Sequence, residues 1–301
     1  MNRVDVVETT ESGAAALKVE GRSPRLRSWG RWFIRTPRVL VSGGFILLLL
    51  FAAITAPALT NADPNTIQSQ IRFLGPSSRA FLGTDQFGRD MYARMLYGAR
   101  LSMAVSASSV TIAVILGVLM GMSAAFFGFP VDIILMRLTD AILSFPPILL
   151  AIFVVAFLGS SLQNIIIVIG ILYIPQFARI SYSSSLAVKE NDYILAAEAI
   201  GSGPMRILLR GILPNITAPI LVQMSLSAST AILVEAGLSF LGLGPPANIP
   251  SWGRSIQDAS RFMGQHPWGV ILPSILITLA VLSFNIFGDA LRDRLDPRLQ
   301  K

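Results

Sequence analysis

The chain has 301 residues, of which 53% are hydrophobic and only 14% charged, with a mean hydropathy of +0.64. That charge is too sparse to coat a water-soluble domain. With no cysteine and a single histidine, His266, the chain offers no disulfide framework and no cysteine- or histidine-based metal cage. The net charge of +7 would suit nucleic acid, but Lys and Arg gather at the ends of long apolar runs, which is the distribution membrane topology requires.

The apolar runs are long and unbroken rather than short and alternating, so they predict spanning helices and not a closed barrel. A hydrocarbon core of ~30 Å takes ~20 helical residues. Residues 1–37 form a polar N-terminal tail. A charge-free run from Val39 makes residues 38–59 the first span. It starts too far along the chain for a signal peptide, and Pro57 sits where a cleavage site would need extended small residues, so it reads as a retained anchor. Residues 60–97 form a loop beyond it.

Within that loop Asp85 is placed to cap a helix from Gln86 onward. Met91, Tyr92, Met95 and Leu96 then fall on one helical face, as in a short helix lying on the membrane surface or under a docked protein. Asp85 and Asp90 lack the companions of a calcium loop.

Residues 98–288 hold five further spans. The second runs from Leu101 to Val131. The third runs from Asp132 to Leu158, its charges Asp132, Arg137 and Asp140 confined to the first turns, and a Gly159-Ser160-Ser161 turn follows. The fourth runs from Ile165 to Tyr182, the fifth from Ile216 to Phe240 and the sixth from Trp268 to Gly288. Residues 289–301 form the C-terminal tail. The fold class is therefore an all-α membrane protein of six transmembrane helices. An even number of spans puts both ends on one side. With that side cytoplasmic, the 24 basic residues divide 17 inside to 7 outside, as the positive-inside rule asks.

Few groups stand out within the spans. Pro146-Pro147, Pro175, Pro219 and Pro273 can kink helices and free carbonyls. Gly117 and Gly121 allow close helix packing. Glu235, in the outer half of the fifth span, is a candidate for the translocation path because lipid would penalise it; proximity to water is the plainer reading. Trp252 and Trp268 suit interfacial anchoring.

The segment 183–214 between spans four and five is the most informative. Asn191 or Asp192 can cap a short helix, Gly201 can close it in a left-handed backbone, and Pro204 can open the next one. Ala196, Ala197 and Ala199 leave a bare surface that another protein could approach. A plain connector gives the same pattern.

Ala196-Ala197, Gly201 and Leu213-Pro214 resemble the cytoplasmic E-A-A-x3-G-x9-I-x-L-P motif of ABC importer permeases, with Leu195 and Gly211 departing from it. Three further segments look like the dipeptide, oligopeptide and nickel permeases. These are Leu82 to Asp90 with Tyr97 to Arg100, Gly237 to Gly244 with Ser251 to Gly253, and Gly288 to Arg298. The chain is similar to the second of the paired permeases, which has a short outer loop after its first span.

The resemblance implies a type I ABC importer permease fold and a place in a bacterial cytoplasmic (inner) membrane. It implies a second homologous permease, two ATPase subunits carrying ATP and magnesium, and an extracytoplasmic binding protein that sets selectivity. It makes Asp192, Tyr193, Ala196, Ala197, Glu198, Gly201, Pro204 and Pro214 the ATPase-coupling residues. It puts Asp85, Arg89, Asp90 and Trp252 where a binding protein would dock or an outer gate would close. Peptides are the family's commonest cargo; nickel, glutathione-like thiols, opines and sugars use similar permeases.

The chain has its own evidence on ATP. Its three lysines, Lys18, Lys189 and Lys301, follow Leu17, Val188 and Gln300, so no Gly-Lys-Ser/Thr phosphate loop exists, and no cofactor is expected in this chain. A secondary transporter would need mid-membrane coupling carboxylates or internal repeats. A membrane enzyme would need a nucleophile–base or metal set, and one histidine with no cysteine leaves little to build one.

Overall fold

A computed structural model describes residues 36–295, and these are helices and connecting loops without a named strand. The two tails outside that range, with Pro297 and Arg298 of the C-terminal match, lie outside the described residues. Helix α1 is Pro37–Leu59, opened by a proline whose missing N–H costs nothing in a first turn. Helix α2, Met91–Phe127, has 37 residues. Helices α3, Val131–Leu143, and α4, Pro147–Leu158, follow, then α5, Leu162–Lys189. The short α6, Asp192–Ala199, and α7, Pro204–Arg206, lead through a π-helical stretch, Ile207–Ile212, into α8, Leu213–Phe240. Helices α9, Trp252–Ser260, and α10, Trp268–Leu295, complete the chain.

Among the described residues five helical segments are long and apolar enough to cross a membrane, and α3 with α4 makes a sixth only as a broken span bent by 87°. The sequence predicts this third span as one run from Asp132 to Leu158; the structure breaks it. Pro147 has no N–H to offer the Leu143 carbonyl and the Pro146 ring crowds the turn before it, so the ladder cannot continue. The second difference lies in α2. No separate surface helix exists: the turn carrying Met91, Tyr92, Met95 and Leu96 continues into the span, and Met91 and Met95 are buried by protein. At ~1.5 Å per residue α2 is ~55 Å long, so it overhangs a ~30 Å core.

Glycines set the closest approach in the bundle. A Cβ on Gly117 would stand 2.7 Å from the Ile174 carbonyl oxygen, and one on Gly121 would strike the Ala178 carbonyl. The pair therefore seats α2 against α5 within the chain. Val118, Ile165, Ile169, Phe177, Ile212 and Leu238 fill the core among α2, α5 and α8. A second cluster, with Leu49, Ala99, Ile232, Trp252 and Ala280, joins α1, α2, α8, α9 and α10.

Two hydrogen bonds fix which loops share an end. Lys189 Nζ donates to the Phe126 carbonyl at 2.8 Å, so the α6 segment lies beside the C-terminus of α2. Trp252 Nε1 donates to the Met95 carbonyl at 3.0 Å, so α9 lies beside the N-terminus of α2, at the opposite end.

Candidate functional site

The α6 end is built by local backbone chemistry. Asn191 precedes α6 in extended conformation, and its side chain donates to the Val188 carbonyl at 2.9 Å rather than capping the helix. Asp192 places a carboxylate in the first turn, where the helix dipole favours it. At the far end Gly201 has φ +75°. Its N–H reaches the Glu198 carbonyl at 2.9 Å while Ser202 N–H reaches the Ala197 carbonyl at 3.0 Å. That pair of bonds is a Schellman closure, as the sequence predicts for Gly201. Pro204 then opens α7.

Ala196, Glu198, Gly201 and Pro204 are exposed and Ala197 is half-buried. Leu195, where the motif has glutamate, is 51% exposed, and Ile200 is 82% exposed, a large apolar surface for a loop.

The joint to α8 is not legible in the sequence. Pro214 cannot donate to the carbonyl four residues back, and the chain answers with the π-helical stretch, in which Leu213 N–H bonds back to Leu208. Asn215 Nδ2 donates to the Gly211 carbonyl at 2.6 Å and to the Tyr193 hydroxyl at 3.1 Å. Beneath this, Ile194 is 1% exposed, and a Cβ on residue 211 would come within 2.6 Å of its Cδ1. Gly211 replaces the motif isoleucine because Ile194 already fills the space. Tyr193 and Ile194 thus fasten α6 to the start of α8 by one polar and one apolar contact. Sequence reasoning misses Asn215, Ile194 and Lys189. The available signal for Asn215 is an amide directly after a proline that frees carbonyls.

The α9 end is a network of charge. Asp85 is 5% exposed and does not cap a helix: its Oδ1 accepts from the backbone N–H groups of Phe87 at 2.8 Å and Arg89 at 2.9 Å. Its Oδ2 accepts from Arg89 Nε at 2.6 Å. Arg89 also reaches Asp258 on α9 at 2.9 Å. The buried Arg94 donates to the Pro64 carbonyl at 3.3 Å and the Ser255 hydroxyl at 3.2 Å. Asp90, not Asp85, caps α2, accepting from Ala93 N–H at 2.8 Å. Trp252 is fully buried over Gly98, where a Cβ would meet its ring at 2.5 Å. Of the four residues expected at a docking face or gate, Asp85 and Trp252 are therefore interior, and Arg89 points inward to two carboxylates. Asp258, Arg94 and Ser255 complete the tie, and their positions in the sequence carry no signal for it.

Glu235 is 1% exposed in α8. Its Oε1 accepts from Ser239 at 2.8 Å and its Oε2 from Ser102 of α2 at 3.0 Å, so it is enclosed between two helices and lines no open space in this conformation. A different polar pair sits in mid-span: Gln223 Nε2 of α8 donates to Gln176 Oε1 of α5 at 2.8 Å and to the Ser227 hydroxyl at 3.1 Å, and both glutamines are half-buried. Among the described residues no group of three or more His, Asp or Glu could hold a metal ion.

Residues 113–301 match the family described as binding-protein-dependent transport system inner membrane component. The chain is 44% identical over 262 residues to the dipeptide transport system permease protein DppC of Alkalihalophilus pseudofirmus, covering 87% of this chain and 85% of that protein. It is 39% identical over 262 residues to the di/tripeptide transport system permease protein DppC of Pseudomonas aeruginosa, covering 85% and 86%. It is 39% identical over 280 residues to the glutathione transport system permease protein GsiD of Pectobacterium atrosepticum, covering 93% of each. Among solved structures, the MetNI methionine ABC transporter in inward-facing conformations superposes with a TM-score of 0.57 at 18% identity, over 68% of this chain and 97% of that one. An amino acid ABC transporter superposes with a TM-score of 0.50 at 14% identity, over 67% and 94%. At those identities the likeness is one of fold.

Proposed function

Since this chain belongs to the family of binding-protein-dependent transport system inner membrane components, we propose that it is a permease subunit of an ATP-driven importer that moves peptides across a bacterial cytoplasmic membrane. In this reading both termini and α6 face the cytoplasm, and α9 with residues 60–90 faces outward. The chain pairs with a second permease and two ATPase subunits, and a binding protein delivers the peptide. ATP and magnesium belong to the ATPase subunits.

The observation that carries the reading is the joint between α6 and α8. An exposed helix pair, hinged at a left-handed Gly201, is fastened through Tyr193, Asn215 and Ile194 to a span that starts in a π-helical turn. A push on Asp192, Ala196, Ala197 or Glu198 from a closing ATPase is carried into α8 without relying on a flexible linker. Pro204 opens α7 and Pro214 lies in the first turn of α8, and the residues between them are helical throughout, so no irregular linker separates the two. At mid-span, Gln176 and Gln223 offer amide donors and acceptors, the groups that match a peptide backbone.

The test is uptake in proteoliposomes holding both permeases and both ATPases, with di- and tripeptides, glutathione and nickel offered in turn with their binding proteins. Peptide uptake driven by ATP is the expected result. Uptake without the ATPase subunits, or of nickel alone, overturns the reading.

A further inference from the structure

Resting on the importer reading, we infer that the face of α5 and α8 carrying Gln176, Gln223 and Thr230 is this chain's wall of a water-filled path, and that the wall holds a peptide by its main chain without regard to side-chain charge. The composition of α8 points there first. Helices α1 and α10 are covered least by the rest of the chain, and both are among the most apolar of the five unbroken spans. A face open to lipid has to be apolar. The span that ends in α8 is covered less than α2 or α5, yet it is the least apolar of the five. Its open side is therefore not built for hydrocarbon. On that side Gln223 is half-buried, and Thr230, two turns or ~10 Å further along the helix, is exposed.

Gln176 stands at the middle of α5, and Gln223 near the middle of its own span. The bond between them at 2.8 Å uses Gln223 Nε2 and Gln176 Oε1. The other two amide atoms, Gln176 Nε2 and Gln223 Oε1, have no partner among the described residues, and neither is enclosed. Hydrocarbon would penalise both. The backbone carries the same signal. Pro175 offers no N–H to the Ile171 carbonyl, and Pro219 offers none to the Asn215 carbonyl. Backbone groups freed at membrane depth are tolerated only where protein buries them or water reaches them. Ile171 is 41% exposed and Asn215 is exposed, so this chain does not bury them and water is left.

A free donor beside a free acceptor matches one residue of an extended peptide, which presents its own N–H and C=O on a single edge. Fixed charge is missing from the wall. Glu235 is enclosed between α2 and α8. Arg179, one turn beyond Gln176 toward the α6 end, is neutralised by Asp140 at 2.7 Å. Toward the α9 end the face becomes apolar, with Leu233 exposed and Ile148 of α4 lying over Gly237. Such a wall neither attracts nor repels a charged cargo side chain, and it offers a bare metal cation no carboxylate.

The native chain has no cysteine, so single introduced cysteines report on it without background. In the reconstituted complex of both permeases and both ATPases, Gln223→Cys and Thr230→Cys are treated with a membrane-impermeant cationic methanethiosulfonate, without nucleotide and with ATP and vanadate, and the label is read on this chain alone. The thiolate that reacts forms only where water reaches it. In at least one of the two states both cysteines should react about tenfold or more faster than Leu47→Cys of α1 and Leu279→Cys of α10, which replace exposed leucines of the most apolar spans. Rates equal to those controls in both states mean a dry face, packed on the second permease or on lipid, and overturn the inference whatever the cargo is. The cargo arm compares turnover of tripeptides with a central Lys or a central Asp, each delivered on saturating loaded binding protein. The unsubstituted chain should treat them alike. Gln176→Glu and Gln223→Glu should each favour the Lys peptide about threefold, the effect of two unit charges ~6 Å apart in water. A ratio that neither substitution moves, in complexes of normal abundance, overturns the contact with cargo. Labelling that persists in a complex unable to import any peptide upholds the hydrated wall and sinks the peptide-importer reading instead.

Discussion

Gly211→Ile restores the residue that the importer motif has at this place, and the structure says it will break the joint. The Cβ alone would sit 2.6 Å from Ile194 Cδ1, whereas carbons rest at ~3.5–4.0 Å. Gly211→Ala needs only a swing of one terminal methyl, a cost of about 1 kcal/mol at most. Relief of glycine's helix penalty offsets it by ~0.5–1 kcal/mol, so that variant is near neutral. Isoleucine adds three more heavy atoms and must drive Ile194 from a site where it is 1% exposed. Overpacking costs ~1–3 kcal/mol, and full ejection of Ile194 approaches the ~2–5 kcal/mol of a large-to-small change in a core. Working with ~2–3 kcal/mol, Gly211→Ile should uncouple ATP hydrolysis from uptake while the spans still insert. The assay is peptide uptake against binding-protein-stimulated ATP hydrolysis in the reconstituted complex, with subunit abundance measured alongside. Adding Ile194→Ala to Gly211→Ile vacates the contested space and should recover at least half of the coupling, a favourable interaction of ~1 kcal/mol or more in the double-mutant cycle. Normal coupling in Gly211→Ile alone, or strictly additive losses in the pair, would refute the steric argument.

At Gly201 no atom lies within 4 Å of the place a Cβ would take, so only its φ of +75° resists substitution. Gly201→Ala should cost ~1 kcal/mol of local stability and Gly201→Asn clearly less, read as protease sensitivity of residues 192–204. Gly98→Val drives a side chain into the buried Trp252 ring and should lower the melting temperature of the full chain by several degrees, for a loss of ~3 kcal/mol. An unchanged melting curve would mean α9 is not held there. Gln223→Leu removes the mid-span amide bonded to Gln176 and should cut peptide uptake severalfold while leaving abundance and basal ATP hydrolysis intact; equal uptake would remove the glutamine pair from the translocation path.

What the sequence reveals divides by the range of the interactions involved. The spans are legible because ~20 apolar residues between charges have few other uses. The Gly201 turn is legible because its bonds run only from 198 to 201 and from 197 to 202. The outer turn of α2 misleads for a physical reason: Met91, Tyr92, Met95 and Leu96 mark an apolar face, and periodicity does not say whether lipid or protein covers it. The cover is α9, whose Trp252 reaches Met95 across 157 residues of sequence. Asp85 misleads likewise. An aspartate before a helix-like run suits a cap, but Arg89 takes its second oxygen and is itself drawn to Asp258, 169 residues away. Asp90 is left to cap α2. Partly buried charge of this kind persists only when paired, so Asp85, Arg89 and Asp258 stand or fall together. Through Arg89 the pairing ties residues 60–90 to α9 as one packed unit at this end of the bundle. In the proposed importer, a binding protein that docks at this end would meet the exposed rim of that body, around Arg79, Phe81 and Arg261, because its charged centre is already closed on itself.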